Sequence, residues 1–166
     1  MGAGKTTIGL KLAENMHKTF IDSDHEIEQN TGATIPLIFD LEGEQGFRER
    51  ETRVLSDLTQ KNHIVLATGG GAVIKEENRK MLMQRGFVIY LQAPLDQLLE
   101  RTAKDRNRPL LQTENPRKTL SDLLEKRELF YKEVADLIFE TGKKPIRDIV
   151  SEITKMLENT PNKASA

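Results

Sequence analysis

The chain contains no cysteine and no tryptophan, and only two of its 166 residues are tyrosine. Without cysteine, disulfides and thiol chemistry are excluded. An excess of positive charge is also absent, since the formal net charge is −1, and this argues against a nucleic-acid partner. No apolar run approaches the roughly 20 residues of a membrane span, and no secretory signal is evident at the start. We therefore expect a cytoplasmic protein that binds neither nucleic acid nor membrane.

What the chain does have is an alternation of strand-like and helical segments. Short, largely apolar segments lie at 19–21, 64–67, 87–91 and 137–140. Helices are predicted between them at about 6–16, 25–29, 35–41, 44–58, 76–85, 95–102, 119–134 and 145–157. This alternation predicts a mostly parallel sheet with helices on both faces, which is a three-layer α/β/α fold. The length fits a single domain over 1–166, with a polar lid loop at about 103–117 and a frayed tail at about 160–166.

The start of the chain carries the first chemical signal, Gly2-Ala3-Gly4-Lys5-Thr6-Thr7, which runs into a predicted helix. It matches the second half of the phosphate-binding loop G-x-x-x-x-G-K-[ST]. The glycines let successive amides point at phosphate oxygens, and a helix N-terminus favours an anion. Lys5 would reach the β- and γ-phosphates and the Thr6 hydroxyl would bind Mg²⁺. The alternative is an ordinary glycine-rich turn that caps a helix.

A phosphate-binding loop normally follows a strand, and no such strand precedes Gly2 in this sequence. If a mid-sheet strand is absent, its neighbours lose backbone partners, at a cost of about 1–3 kcal/mol for each unpaired buried group. We expect a complete relative to have roughly ten further residues, comprising a short strand and the first half of the loop. A chain without them should be less stable and should bind nucleotide less tightly.

Two further motifs follow predicted strands, at the carboxyl ends where ligands bind in open α/β sheets. Asp22 and Asp24 would point the same way from an extended segment. One could support Mg²⁺ while the other orients a hydroxyl or accepts its proton; helix capping by Asp24 is the alternative. The triplet Gly69-Gly70-Gly71 would let a ligand approach the backbone closely, although it could also be a flexible turn.

Several arginines are candidates for contacts with anions. Arg48 and Arg127 lie on predicted helices and could converge on one carboxylate as a bidentate clamp, or each could be a solvated surface charge. Arg108 lies in the polar loop, where it could neutralise a transferring phosphoryl group on loop closure or simply face solvent. Arg101 and Arg117 are weaker candidates for nucleotide contacts.

Together these motifs resemble those of the shikimate kinases. The resemblance is carried by segments 1–9, 20–24, 47–51, 68–72, 107–111 and 126–131, in this order and with these spacings. It implies ATP-dependent phosphorylation of the 3-hydroxyl of shikimate, in chorismate and aromatic amino acid biosynthesis. It also implies a nucleoside-monophosphate-kinase-like P-loop fold with strand order 2-3-1-4-5, strand 1 of that order being the one absent from this sequence.

The resemblance assigns roles by position. Lys5, Asp24 and Arg108 would be catalytic, and Mg²⁺ would be held by Thr6 and, through water, by Asp22. The ATP site would comprise Gly2, Ala3, Gly4, Lys5, Thr6, Thr7, Arg101, Arg108 and Lys144. The shikimate site would comprise Asp24, Phe39, Phe47, Arg48, Gly69, Gly70, Gly71 and Arg127. A monomer that binds ATP, Mg²⁺ and shikimate is the resulting expectation.

Two other interpretations remain open from the sequence. One is another small-molecule kinase of the same fold, such as a gluconate kinase, which the paired acids, paired arginines and glycine triplet disfavour. The other is a non-catalytic sensor of a nucleotide or metabolite. The incomplete loop favours a sensor, whereas the retention of Lys5, Thr6, Asp22, Asp24 and Arg108 disfavours it.

Overall fold

The computed structural model describes residues 2–102 and 113–159. In the described ranges helices and strands alternate, as the sequence predicts. The helices are α1 (Lys5–Asn15), α2 (Ser23–Thr31), α3 (Ile35–Leu58), α4 (Glu76–Arg85), α5 (Leu95–Thr102), α6 (Pro116–Val134) and α7 (Ile146–Glu158). The strands are β1 (Thr19–Asp22), β2 (Ile64–Ala67), β3 (Ile89–Gln92) and β4 (Leu137–Glu140). None of the helices in these ranges is long and apolar enough to cross a bilayer.

The strands form two parallel pairs, which confirms the predicted parallel α/β class. β1 pairs with β2, so that Asp22 lies opposite Ala67, and β3 pairs with β4, with Ile89 opposite Leu137. Within the described residues β2 and β3 are not hydrogen-bonded to each other. The pairs correspond to positions 2-3 and 4-5 of the expected order, while the full five-strand order stays a prediction.

One hydrophobic cluster joins the two strand pairs through α1 and α7. Its buried members from these helices are Ile8, Leu12, Ile149, Val150 and Ile153. Val65 of β2 and Leu91 of β3 pack against this same cluster. A single helical layer therefore covers both pairs and holds them in one arrangement even though their strands do not pair with each other.

A second cluster packs α2 and α3 against the first strand pair. Its buried side chains are Ile27, Ile38, Phe47, Val54 and Leu58, with Ile21 and Leu66 beside them. Because Phe47 is buried there, the next residue along α3 is held at the edge of the core. This packing positions Arg48 and the residues one turn beyond it.

Two predicted helix starts are wrong, and both errors concern caps. Asp22 rather than Asp24 caps α2, because its Oδ1 accepts a hydrogen bond from the Asp24 amide at 3.0 Å. The helix then begins at Ser23 instead of His25. α6 begins at Pro116, three residues earlier than the sequence pattern suggests, because Asn115 caps it by accepting from the Lys118 amide at 3.0 Å.

Other predicted boundaries are changed less. The pattern predicts two helices on either side of Gly43, and this break is confirmed, because Gly43 has non-helical backbone angles (φ 69°, ψ −176°) and divides α3 into two helical segments. The strand predicted at 87–91 runs from Ile89 to Gln92. The predicted lid at 103–117 is too long, since 116–117 belong to α6, and 103–112 lie outside the described residues. The predicted tail at 160–166 also lies outside them.

Candidate active site

The N-terminal loop has a backbone shape that requires glycine. Gly2 (φ 67°) and Gly4 (φ 88°) both adopt the left-handed conformation, which side chains disfavour. Gly4 is the N-cap of α1, and its carbonyl accepts from the Ile8 amide at 2.8 Å. A Cβ on Gly2 would lie 3.2 Å from the Leu98 carbonyl oxygen. The loop is therefore packed closely against α5.

The remaining predicted nucleotide residues of this segment take different positions. Ala3 is buried with Leu98 and Leu120, so its methyl group faces the core. Lys5 is half-buried, and Thr6 and Thr7 are exposed on the first turn of α1. Arg101 of α5 donates from Nη1 to the Gly2 carbonyl at 3.2 Å, which brings a guanidinium to the loop. No acidic residue lies in the first turn of α1, so its amide end is suited to an anion.

The two predicted Mg²⁺ ligands are neighbours. The Thr6 hydroxyl donates to Asp22 Oδ2 at 3.1 Å. A hydroxyl and a carboxylate are hard oxygen ligands of the type that Mg²⁺ prefers. The described residues contain no cluster of three or more His, Cys, Asp or Glu side chains with metal-binding geometry. Protein sites commonly hold Mg²⁺ with one or two side chains and substrate phosphates, so Thr6 and Asp22 could hold it together.

Next to Asp22 lies a group of charged side chains, Asp24, Arg48, Glu51 and Arg127, which we call the charge cluster. Arg48 is 7% exposed and Glu51 is fully buried, and Arg48 Nη1 donates to Glu51 Oε2 at 2.8 Å. The other edge of the Arg48 guanidinium donates to Glu44 Oε1, at 3.1 Å from Nη2 and 3.3 Å from Nε. The guanidinium predicted to be a clamp is therefore paired with two carboxylates.

The pKa values of Glu51 and Arg48 show which charges act on one another. Burial raises the pKa of Glu51; Arg48 lowers it, nearby Asp24 raises it and Arg127 lowers it, and the net pKa is raised. For Arg48, burial acts to lower the pKa, but Glu51 and then Glu44 outweigh it, so the pKa is raised. Asp24, Arg48 and Arg127 all act on Glu51, which brings these three predicted residues to one place.

Arg127 differs from Arg48 in its pairing. Its side chain is 5% exposed, yet within the described residues it forms no ion pair. A buried guanidinium is unfavourable unless its charge is compensated. Glu51 compensates it in part through its electrostatic attraction. The arrangement leaves Arg127 suited to take an additional anion.

The predicted glycine triplet lies directly against the charge cluster. A Cβ on Gly69 would be 2.8 Å from Asp24 Oδ1 and 3.0 Å from Glu51 Oε1, and one on Gly71 would overlap the Arg48 guanidinium. The Gly69 amide also donates to Ser23 Oγ at 3.3 Å. Glycine is required at 69 and 71 because charged groups occupy the space of a side chain.

Of the other predicted site residues, Phe39 and Phe47 contact each other, whereas Lys144 and Arg117 form ion pairs with residues outside the predicted site. The rings of Phe39 and Phe47 are 4.9 Å apart, and the Arg48 guanidinium lies 5.1 Å from the Phe47 ring centroid. Lys144 forms an ion pair with Glu152 at 2.7 Å and lies over Phe139, neither of which is a predicted site residue. Arg117 pairs on the surface with Asp96 at 2.6 Å. Arg108 lies outside the described residues.

Three residues at this site were not predicted from the sequence: Ser23, Glu51 and Tyr131. Glu51 could have been found, because it lies three residues after Arg48 and therefore on the same helix face. Ser23 lies between two predicted aspartates, but nothing in its spacing indicates a contact with Gly69. Tyr131 donates to the Gly70 carbonyl at 2.5 Å across 61 residues of sequence, and no local pattern could indicate this bond.

Comparisons with known proteins agree with one another. A sequence model of the shikimate kinase family matches residues 1–158. The shikimate kinase of Bordetella avium (strain 197N) is 56% identical over 158 residues, covering 95% of this chain and 76% of the relative. The shikimate kinase of Nitrosococcus oceani is 55% identical over 157 residues, covering 95% and 83%.

Solved structures give the same result. The shikimate kinase from Acinetobacter baumannii in complex with shikimate superposes with a TM-score of 0.94 at 53% identity, covering 98% of this chain and 91% of that chain. The shikimate kinase from Aquifex aeolicus superposes with a TM-score of 0.82 at 34% identity, covering 95% and 92%. The segment matched by the family model, 1–158, contains the N-terminal loop, the charge cluster and the glycine triplet.

Proposed function

The chain belongs to the shikimate kinase family, and we propose that it transfers the γ-phosphoryl group of ATP to the 3-hydroxyl of shikimate. The observation that carries this proposal is the charge cluster, in which the buried Arg48 and Arg127 lie beside Asp24 and the glycine triplet. The similar Acinetobacter baumannii structure is a complex with shikimate, which supports the same ligand for this chain. The reaction belongs to chorismate and aromatic amino acid biosynthesis, and we propose a cytoplasmic, monomeric enzyme.

Arg127 and Arg48 would bind the carboxylate of shikimate. Arg127 has no ion-pair partner among the described residues, and a substrate carboxylate would supply one. Arg48 would offer the guanidinium edge that donates to the half-exposed Glu44, so shikimate would compete with Glu44 for it. Two guanidinium groups on one carboxylate would fix the register of the ring in the site.

The ring hydroxyls would then lie toward Asp24 and the glycine triplet. Asp24 lies close to Gly69, and its carboxylate would orient the 3-hydroxyl or accept its proton. Without side chains, Gly69, Gly70 and Gly71 would allow backbone groups to contact the substrate. Phe39 and Phe47, whose rings are in contact, would form an apolar wall.

The ATP phosphates would be bound by the amides of residues 2–7 and by Lys5, with Arg101, Arg108 and Lys144 as further nucleotide contacts. Thr6 and Asp22 would hold Mg²⁺, which when bound would neutralise charge on the phosphates. Phosphoryl transfer depends mainly on positioning and charge neutralisation, and the chain's own cations supply both. Asp22 would connect the two half-sites, since it contacts Thr6 on one side and the Asp24 amide on the other.

A coupled assay for ADP release tests the proposal directly. ADP should form only when ATP and shikimate are both present, with gluconate as the control substrate, and phosphorus NMR should detect a phosphate ester at the 3-hydroxyl. Lys5→Ala should abolish turnover, because the β/γ-phosphates would lose their main cation. Binding of shikimate and ATP by calorimetry without turnover would favour the sensor interpretation, and ADP release with gluconate would favour the other kinase.

A further inference from the structure

Tyr131 of α6 makes a hydrogen bond to the glycine triplet that the proposed chemistry does not use. Its hydroxyl donates to the Gly70 carbonyl at 2.5 Å, and the two residues are 61 positions apart. Glycine has more backbone freedom than other residues, so a hydrogen bond that fixes the Gly70 carbonyl restricts the conformation of the whole triplet. On the other side the Gly69 amide is held by Ser23 Oγ at 3.3 Å. The triplet is thus held from two directions, by α2 and by α6.

The phenol of Tyr131 also lies next to Arg127. The two residues are four positions apart on α6 and therefore share one face of the helix. Burial raises the pKa of Tyr131, while the nearby guanidinium of Arg127 acts to lower it. A hydroxyl can accept one hydrogen bond and donate another at the same time. The phenol therefore stands between the Arg127 guanidinium and the Gly70 carbonyl.

The orientation of the phenol is set by a second ring. Tyr90 of β3 stacks on Tyr131, with centroids 4.9 Å apart and an interplanar angle of 23°. Stacking limits the rotation of the Tyr131 ring, so its hydroxyl is aimed at the triplet. Within the described residues the Tyr90 hydroxyl makes no hydrogen bond of its own. Of the two stacked tyrosines, Tyr131 therefore has the hydroxyl that holds the Gly70 carbonyl, and a substitution by Phe at each position isolates the effect of that bond.

We propose that Tyr131 is a positioning residue for shikimate binding, because its hydroxyl holds the Gly70 carbonyl and the Arg127 guanidinium in a fixed relation. The inference rests on the proposed function and deepens it. The glycine triplet and Arg127 would contact opposite ends of the substrate, the ring hydroxyls and the carboxylate. A phenol that connects them sets the separation of these two contacts.

Tyr131→Phe tests the inference, since it removes the hydroxyl and keeps the ring that stacks on Tyr90. In the full chain the KM for shikimate should rise about five- to twentyfold, because one hydrogen bond to a partly buried carbonyl is lost. The kcat should change less than about twofold and the KM for ATP should not change, because the phosphate loop lies on other elements. Tyr90→Phe is the matched control and should leave all three constants near those of the unsubstituted chain.

A second comparison separates positioning from general stability. Arg127→Lys already removes the guanidinium that the Tyr131 hydroxyl would hold relative to the Gly70 carbonyl. Adding Tyr131→Phe to this variant should therefore raise the KM for shikimate by less than about twofold. If Tyr131→Phe instead matches Tyr90→Phe, or if its effect is equally large in both backgrounds, the inference is overturned. Absence of shikimate-dependent turnover by the unsubstituted chain would overturn the proposed function, and the inference with it.

Discussion

The fully buried carboxylate of Glu51 depends on Arg48, whose Nη1 lies 2.8 Å away, for its direct charge partner. Arg48 in turn is compensated by Glu51 and Glu44, so each side chain of this group influences the ionisation of the others. Substituting one of them therefore changes two properties together, the affinity for substrate and the stability of the fold.

We expect Arg48→Ala to raise the KM for shikimate about tenfold or more, because one of two guanidinium groups on the carboxylate is lost. The same change should lower the free energy of unfolding by about 3–5 kcal/mol, since Glu51 is left buried without its partner. Adding Glu51→Gln should restore much of the stability and none of the affinity, as measured by urea unfolding and steady-state kinetics. Unchanged shikimate binding by Arg48→Ala would remove Arg48 from the substrate site.

Glu44 should act as a competitor of the substrate, because its Oε1 accepts from Nη2 and Nε of Arg48. Glu44→Gln weakens this exposed pair, and we expect the KM for shikimate to fall about two- to fivefold. Glu49→Gln is the control, since exposed Glu49 contacts Gln45 instead of Arg48. A KM that rises in Glu44→Gln would mean that Glu44 positions Arg48 and does not compete for it.

Stability should depend on pH through Glu51. Its pKa is raised above the ordinary 4.5, by burial first and by Asp24 in addition, against the opposing effect of Arg48 and Arg127. A raised carboxyl pKa in the folded state gives a contribution that is complete below pH 4.5 and is lost as the pH rises through the folded value. As the pH rises above 4.5, the unsubstituted chain should lose stability relative to Glu51→Gln in urea unfolding. A pH-independent difference would contradict this.

The paired arginines on α3 and α6 could be identified from sequence because their motifs are local. The structure brings them together at Glu51, but this convergence depends on packing that no local pattern encodes. Tyr131 and Ser23 illustrate the same limit, since their contacts with the glycine triplet join elements far apart in the chain. Sequence therefore indicated the chemical types present at the site better than the supports that fix them.

At the scale of elements, the glycine triplet after β2 is shaped by the side chains that lie against it. A Cβ at Gly71 would overlap the Arg48 guanidinium, whereas one at Gly86, after α4, would lie 3.6 Å from its nearest neighbour, the Leu82 carbonyl oxygen. The two glycines thus differ in the space available for a methyl group, and neither has a positive φ.

Gly71→Ala should displace Arg48 and raise the KM for shikimate about tenfold, while leaving the KM for ATP unchanged. Gly86→Ala adds the same methyl group in ordinary van der Waals contact and should leave both constants unchanged. Steady-state kinetics with each substrate varied in turn gives the comparison. Equal KM values for the two variants would show that Arg48 tolerates displacement.

Element boundaries show where local patterns compete. Asp22 and Asp24 are both good caps, and the structure uses Asp22 because its carboxylate reaches the Asp24 amide. The start of α6 was predicted three residues late because the first turn, Pro116-Arg117-Lys118, has no apolar periodicity. β4 and α4 have the predicted bounds, β4 because its sequence is a short, largely apolar run and α4 because Gly86 follows its last residue, Arg85.

At the scale of the whole molecule, the described strands form two parallel pairs covered by one layer of α1 and α7. The parallel α/β class follows from the alternation of elements and was predictable. The relation between the two pairs was not, because it depends on a shared helical layer whose contacts join residues near positions 8, 65, 91 and 150.

The charge cluster has a kinetic consequence. Two arginines and two acids, Asp24 and Glu51, have formal charges that sum to zero, so the cluster exerts little long-range attraction on an approaching anion. Ionic strength should then alter the rate of encounter with shikimate only slightly. Discrimination among small acids would arise after arrival, through residence time, from short-range contacts with the guanidinium groups.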